Sequence, residues 1–138
     1  MKKIQFFDVP SFWENSMEYV PDWLLLSMRE EGMNIRRVSY RFVSDEVMLE
    51  ENRRLLDHDY YTDIITFGER RNNRIIADVI VSFDRILDNA KTLNKKELDE
   101  RDRVLIHGLL HLCGYNDTSE TEKLKMRKLE DKYLLLRP

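Results

Sequence analysis

The sequence predicts an α+β fold in which helices pack on a small mixed β-sheet of about four strands. Two observations lead to this prediction. Four short segments carry the β-branched and aromatic residues typical of strands, whereas the longer segments repeat apolar residues at helical spacing. The predicted elements follow the order β-α-β-α-β-β-α-α-α, so that a run of helices, and not an alternating pattern, completes the chain.

The N-terminal half is predicted to contain a strand, a helix, a second strand and a second helix, at residues 4–7, 11–31, 38–43 and 45–56. Pro21 either splits the first helix or starts its second part, because proline lacks a backbone N–H and fits only the first turn. Gly32 is placed to end that helix. Ser44 is placed to cap the next one.

The C-terminal half is predicted to contain a β-hairpin followed by three helices. The hairpin strands lie at 64–67 and 75–82, a polar turn joins them at 68–73, and the helices lie at 83–93, 96–113 and 120–135. Gly114 follows the middle helix and can adopt the left-handed conformation that ends a helix.

The length and composition indicate one domain at residues 1–138, in the cytoplasm. The chain has 42% hydrophobic and 36% charged residues, an ordinary globular composition. The apolar runs are too short for a membrane span, and no signal peptide is expected at the N-terminus. Cys113 is the one cysteine and cannot form an internal disulfide, which favours a reducing compartment.

The charge pattern by itself does not predict a nucleic-acid-binding protein. The formal net charge is −3, whereas a dedicated RNA-binding domain usually has a strong positive excess. Arginines do cluster locally, at 36, 37 and 41, at 53 and 54, and at 70, 71 and 74. A mixed solvated surface is the simpler interpretation, and a one-sided basic face is the alternative.

The candidate chemistry lies in the predicted helix at 96–113 and the turn after it. His107 and His111 are four residues apart, so their imidazoles project from one helix face and can bind one metal. Gly114 lets the chain turn back, and Asp117 supplies a third, carboxylate ligand. Two histidines and a carboxylate leave a coordination position open for water, as catalytic metal sites require.

Other interpretations of the histidine pair stay open at this point. A His-x-x-x-His pair in a helix often binds no metal and is simply buried or exposed. A metalloprotease is disfavoured, because the glutamate that follows the first histidine in such enzymes is replaced by Gly108, which instead leaves room near the metal. Cys113 points away from the histidine face and is interpreted as a small buried side chain.

Three further residues are candidate catalytic residues. Arg103 lies one helical turn before His107 and could contact a phosphate, although an ordinary salt bridge is the alternative. His58 is the third histidine of the chain. Asp63 could line the cleft or bond to a ligand histidine, although a turn-forming role is equally expected.

Several blocks of the chain, in order, resemble the YbeY family of bacterial ribosomal-RNA maturation factors. Residues 107–117 read HGLLHLCGYND and resemble the family signature His-Gly-x-x-His-Leu-x-Gly-Tyr-Asp-His. Further similarities, spread over residues 38–135, are TDIITF at 62–67, ADVIVS at 77–82, Asn52, Met126 and Glu130.

The resemblance implies a metal-dependent endoribonuclease, with single-stranded RNA as the expected substrate. It implies small-subunit ribosomal-RNA processing and ribosome quality control, with ribosomal RNA and the small ribosomal subunit as partners. One divalent transition metal, zinc by expectation, would be held by His107, His111 and Asp117. No organic cofactor and no membrane association are expected.

This chain departs from the family pattern at three positions. Asp117 stands where the third ligand is usually histidine, and its added negative charge should make the metal a weaker Lewis acid, so that the metal need not be zinc. Leu56 stands where the family often has arginine, which removes a possible phosphate contact. His58, two residues on, could supply part of that contact. Ala77 replaces a glycine.

Two alternative functions remain open. One is a non-catalytic ribosome-assembly or RNA-binding factor in which a structural metal only joins the turn to the helix. The other is a metal-dependent oxygenase, because two histidines and one carboxylate can also hold non-haem iron.

Overall fold

The structure is a computed structural model that describes residues 2–138. It confirms the predicted α+β class and element order, and it adds a short 3-10 helix at Ser11–Met17. The elements are β1 (Ile4–Phe7), α1 (Val20–Glu30), β2 (Asn34–Val43), α2 (Asp45–Leu56), β3 (Ile64–Arg71), β4 (Arg74–Ser82), α3 (Phe83–Thr92), α4 (Glu97–Leu112) and α5 (Glu120–Leu134).

The four strands form one mixed sheet in the order β1-β2-β4-β3. β1, β2 and β4 are parallel, and β3 pairs antiparallel with β4 as the predicted hairpin. β3 is therefore an edge strand, and its inner face packs on α4. This placement brings the start of the hairpin next to the helix that carries the two histidines.

The predicted turn at residues 68–73 is wrong in most of its length. β3 continues through this polar segment to Arg71, and only Asn72 and Asn73 connect the two strands. The pairing continues because backbone hydrogen bonds to β4 need no apolar side chain, and Asn72 takes the positive φ of 56° that a two-residue hairpin requires.

Proline and glycine determine where the first helical region is divided. The predicted helix at 11–31 is split: the 3-10 helix ends at Met17, and α1 starts beside Pro21 in its first turn. At the other end, Gly32 has a φ of 74°, and the Met33 N–H bonds to the Met28 carbonyl. This bond, together with that of the Gly32 N–H to the Arg29 carbonyl, forms the glycine-terminated helix end expected from the sequence.

The apolar residues divide between the two faces of the sheet. Tyr40, Phe42 and Val79 face the main core, which α1 and α4 cover. Val43 and Ile80, each next to a core residue, face the opposite side and pack on Met48 of α2. The helix α4 is deeply embedded, with Leu105, Ile106, Leu109 and Leu110 fully buried.

Within residues 2–138, no helix combines the length and the apolarity that crossing a membrane requires.

Candidate metal centre

The helix α4 holds the two histidines at the edge of the core. Leu105, Ile106 and Leu109 are buried on one side of the helix, which fixes its rotation. The same rotation places His107 and His111 on a half-buried side, one turn apart, with 23% and 35% of their side chains exposed. Two imidazoles in this setting face a common point that solvent can reach.

The turn after α4 brings Asp117 to that point. Gly114 has a φ of 106°, its N–H bonds to the His111 carbonyl, and the Tyr115 N–H bonds to the Leu110 carbonyl. This pair of bonds is the glycine-terminated helix end that reverses the chain. Asp117 Oδ2 then lies 3.3 Å from His107 Nε2 and 3.5 Å from His111 Nε2.

The three ligand atoms have the spacing of a small metal site. The two Nε2 atoms are 2.9 Å apart, and one ligand atom from each of the three residues lies within 4.8 Å of the others. Tetrahedral ligands at about 2.0–2.1 Å from zinc are about 3.3 Å from one another. His107, His111 and Asp117 are therefore able to hold one metal ion.

Each histidine uses its other ring nitrogen for an orienting hydrogen bond. His107 Nδ1 lies 2.6 Å from Glu130 Oε2, and His111 Nδ1 lies 2.8 Å from the Tyr115 carbonyl oxygen. Both partners are acceptors, so both Nδ1 atoms carry the proton and both Nε2 lone pairs are directed at the metal position. Histidine metal ligands usually have such partners.

Sequence reasoning assigned no role to Glu130. It lies on α5 and is 5% exposed. In the sequence it is recognisable only as a position similar to the family pattern. The distinguishing signal is a glutamate in a helix whose neighbours Met126 and Tyr133 are buried, which places it on the core side. That signal alone does not reveal which residue of α4 it contacts.

Arg103 contacts carboxylates of α5. Its Nη1 donates to Glu130 Oε1 at 2.9 Å, and its Nη2 donates to Asp131 Oδ1 at 2.6 Å. These are the contacts of the salt-bridge alternative. The guanidinium therefore braces the carboxylate that orients His107, and it uses one N–H of each terminal nitrogen in these two contacts.

Asp63 lies at the start of β3, within electrostatic reach of His107. Burial raises the pKa of the Asp63 carboxyl, and the charge of His107 partly opposes this shift. The pKa of His107 is also raised: burial lowers it, but the hydrogen bond to Glu130 and the negative charges of Glu130, Asp117 and Asp63 outweigh the burial. The cleft therefore concentrates negative charge where a cation would bind.

His58 lies outside this cluster, on the segment after α2. Its ring stacks on Tyr60 with centroids 5.1 Å apart, and its Nδ1 is 2.9 Å from the Tyr60 hydroxyl. Its backbone N–H bonds to the Asn52 carbonyl. None of these contacts, drawn from residues 2–138, involves a member of the metal group.

Gly108 allows β3 to pack closely on α4, whereas the sequence predicts that it leaves room near the metal. A Cβ at this position would lie 2.6 Å from Thr66 Oγ1 and 3.0 Å from Ile64 Cδ1. The missing side chain therefore lets β3 approach α4 closely, and the room it leaves is filled by β3. This contact also fixes Thr66 beside α4, three residues after Asp63 on the chain.

Cys113 is not part of the metal group, as expected. Its Sγ lies 3.6 Å from Met28 Sδ, and burial raises the pKa of the thiol to about 11. A thiol with this pKa is neither a ready metal ligand nor a nucleophile at neutral pH.

The chain is similar to proteins of one family. The family model described as endoribonuclease YbeY matches residues 8–136. The endoribonuclease YbeY of Cytophaga hutchinsonii is 47% identical over 116 residues, which cover 83% of this chain and 81% of that protein. The endoribonuclease YbeY of Bacteroides thetaiotaomicron is 42% identical over 84% of this chain and 85% of its own length.

A solved structure supports the fold. The solution structure of TM1509 from Thermotoga maritima superimposes with a TM-score of 0.70, covering 94% of this chain and 85% of that one. Its sequence identity of 24% is low, so this likeness speaks to the fold alone.

Proposed function

Since the chain belongs to the endoribonuclease YbeY family, we propose that it is an endoribonuclease whose metal ion is held by His107, His111 and Asp117. The observation that supports this most directly is the convergence of two Nε2 atoms and one carboxylate oxygen within 4.8 Å. A divalent cation bound there supplies the Lewis acidity that polarises a phosphodiester and lowers the pKa of water.

The chain's own residues prepare the site in three ways. Glu130 and the Tyr115 carbonyl hold protons on the Nδ1 atoms, which leaves both Nε2 lone pairs available. Arg103 donates a hydrogen bond to Glu130 and thereby holds that side chain in place. Asp63, whose pKa is raised by burial, is the proposed proton acceptor on the β3 side of the cleft.

The proposal includes zinc as the metal and ribosomal RNA as the substrate. Zinc suits a compact site with two imidazoles and one carboxylate. Processing of small-subunit ribosomal RNA in the cytoplasm, with the small subunit as partner, follows from the resemblance and completes the proposal. The whole segment 1–138 would act as one metal-hydrolase domain. His58 has no role in it, because its contacts involve Tyr60 and Asn52.

The alternative functions are not favoured. A non-catalytic assembly factor would not be expected among relatives named endoribonucleases. The same names disfavour an iron oxygenase, although the ligand set alone would allow it.

The test compares the wild-type chain with Asp117→Ala. We expect the wild type to carry about one transition metal per chain and to cut single-stranded ribosomal RNA, as catalytic zinc sites with three protein ligands do. Asp117→Ala should lose most of both properties. Metal content is measured by elemental analysis and cleavage with end-labelled RNA.

The matched control is Asp88→Ala, an exposed aspartate of α3 outside the metal group. It should retain both metal and cleavage. Bound metal without cleavage, under several metals, would support the assembly-factor alternative. Absence of bound metal would show that His107 and His111 are not ligands.

A further inference from the structure

Two arginine clusters that are separate in the sequence meet at the hairpin end of the sheet. Arg36 of β2 and the hairpin residues Arg71 and Arg74 line one groove of about 710 Å³, together with Glu69, Asn72, Asn73 and Ile76. We propose that this arginine groove binds the phosphodiester backbone of the substrate RNA, at a distance from the metal centre. The inference rests on the proposed function and extends it to a second RNA contact.

The strand register produces this concentration of charge. Arg71 and Arg74 are directly opposite each other across the hairpin, and Asn34 of β2 pairs with Arg74 on its other side. The register shift between Ile35 and Arg37 lets Arg36 reach the same groove. Like charges directly opposite in an antiparallel pair destabilise it, so folding alone does not favour this arrangement.

The ratio of basic to acidic side chains in the groove differs from that on the rest of the sheet face that points away from the main core. Elsewhere on that face, Arg37 pairs with Asp78 at 2.9 Å and Arg41 approaches Glu51 at 3.9 Å. Of the seven residues that line the groove, only Glu69 is acidic, and it pairs with Arg71 at 3.2 Å.

Arg36 and Arg74 have no carboxylate within 4.0 Å among residues 2–138. Three arginines against one glutamate leave a local surplus of two positive charges on a chain whose net charge is −3. Guanidinium forks and the amides of Asn72 and Asn73 are donors that suit phosphate oxygens.

The hairpin connects the groove to the metal centre. β3 runs beside α4 from Thr66, which contacts Gly108, to Arg70, whose Nη1 donates to the Cys113 carbonyl at 3.2 Å. Arg71 is five residues beyond Thr66, which is about 17 Å along a strand. Because β3 is an edge strand, an RNA strand can pass around it from the metal centre to the groove.

This geometry predicts that RNA length decides whether the groove contributes. An RNA of about two nucleotides at the metal centre is too short to reach it, whereas one of about 20 nucleotides can occupy both. The arginine groove should therefore lower the KM for long RNA and leave short RNA unaffected.

The test neutralises the groove in the full chain with the triple variant Arg36→Gln, Arg71→Gln and Arg74→Gln. The matched control is Lys91→Gln, Lys95→Gln and Lys96→Gln, which removes the same charge from exposed positions in the last turn of α3 and in the link to α4. Binding is measured by fluorescence anisotropy with cleavage-resistant 2′-O-methyl RNA of about 20 nucleotides at several salt concentrations, because phosphate contacts appear in the salt dependence.

The groove variant should bind about 10- to 100-fold more weakly, and its salt slope should fall by about 2, from roughly 0.7 per lost phosphate contact on a single strand. The control should keep the wild-type affinity and slope. Equal affinity of wild type and groove variant would overturn the proposal, as would an equal loss in the control. If the groove variant lost binding to polyglutamate by the same factor, the groove would bind any polyanion. That result would overturn its assignment to RNA.

Cleavage assays separate this inference from the proposed function. With metal present, the groove variant should cut RNA of about two nucleotides as the wild type does, and should show a raised KM with an unchanged kcat on RNA of about 20 nucleotides. If the wild type binds RNA through the groove but never cuts it, the proposed function fails and the groove stands. If both proteins bind and cut identically, the groove fails and the function stands.

Discussion

The two ligand histidines differ in the charge of the group that orients them. His111 Nδ1 donates to a backbone carbonyl, whereas His107 Nδ1 donates to the carboxylate of Glu130. A carboxylate partner makes the imidazole a stronger donor to a metal and fixes the ring more firmly than a neutral carbonyl does. Side chains outside the ligand set should therefore affect the metal affinity mainly by acting on His107.

Glu130→Gln tests this dependence. The amide keeps the shape of the side chain but removes the negative charge, so the metal affinity should fall about 10- to 100-fold. The affinity is measured by competition with a chelator of known strength, and the cobalt-substituted protein should show a changed visible absorption spectrum. Retention of wild-type affinity would mean that Glu130 serves α4–α5 packing only.

Asp131→Asn is the control for this change. Asp131 also contacts Arg103, but its side chain is 56% exposed and it does not contact a histidine. Its effect on metal affinity should be less than about threefold, as expected of an exposed ion pair that contributes about 0–1 kcal/mol. A loss as large as that of Glu130→Gln would place the effect in the Arg103 network as a whole.

The sequence predicted the ligand set but not its supports. His107, His111 and Asp117 could be identified because a four-residue helical spacing and Gly114 are local features. Glu130 and the role of Arg103 could not, because they depend on how α5 docks against α4, which no local pattern specifies. For the same reason the sequence allows a salt bridge for Arg103 but does not identify Glu130 and Asp131 as its partners.

At the scale of elements, the contact between β3 and α4 depends on one missing side chain. Gly108→Ala would raise helix propensity by about 1 kcal/mol, but its Cβ would lie 2.6 Å from Thr66 Oγ1. Overpacking of this kind costs about 1–3 kcal/mol. We expect a net loss of stability of about 1 kcal/mol, measured by urea unfolding with an unchanged m-value.

The second variant in this test is Thr66→Ala. Without Oγ1 the closest obstacle is gone, and the remaining contact at 3.0 Å is the flexible end of Ile64. In the Thr66→Ala background, Gly108→Ala should therefore be neutral or stabilising. If the cost of Gly108→Ala is the same in both backgrounds, the close approach of β3 is not what requires glycine.

The elements themselves were predictable where capping residues mark their ends. Ser44 and Ser119 accept bonds from backbone N–H groups of the first turns of α2 and α5, as polar residues before an apolar period indicate. The sequence underestimates the length of β3, because Gly68 and the charged residues after it are typical of turns. β4 offers a full edge for pairing, and this tertiary partner decides the strand length.

At the scale of the whole molecule, a buried ionic cluster joins distant parts of the chain. Arg101 of α4 is fully buried and donates to Asp102 and to the carbonyl of Ser16, which lies in the 3-10 helix. Asp102 also accepts from Tyr19 and, at 2.9 Å, from Arg137 near the C-terminus. The cluster thereby links the 3-10 helix, the start of α1 and Arg137 to the helix that carries the metal ligands.

Asp102→Asn removes the one negative charge between Arg101 and Arg137, and the Arg101 side chain has no exposed surface. A buried charge left without its partner costs about 3–5 kcal/mol, so the free energy of unfolding should fall by that amount.

Asp99→Asn is the matched change, because Asp99 also pairs with Arg137 but is 41% exposed, and it should cost about 0–1 kcal/mol. Urea unfolding distinguishes the two, and chelator competition on the folded proteins should give wild-type metal affinity for both. Equal losses of stability would mean that water reaches Arg101 and that the cluster adds no more than a surface ion pair. A loss of metal affinity in Asp102→Asn alone would instead mean that the cluster sets the position of α4 and, through it, the spacing of His107 and His111.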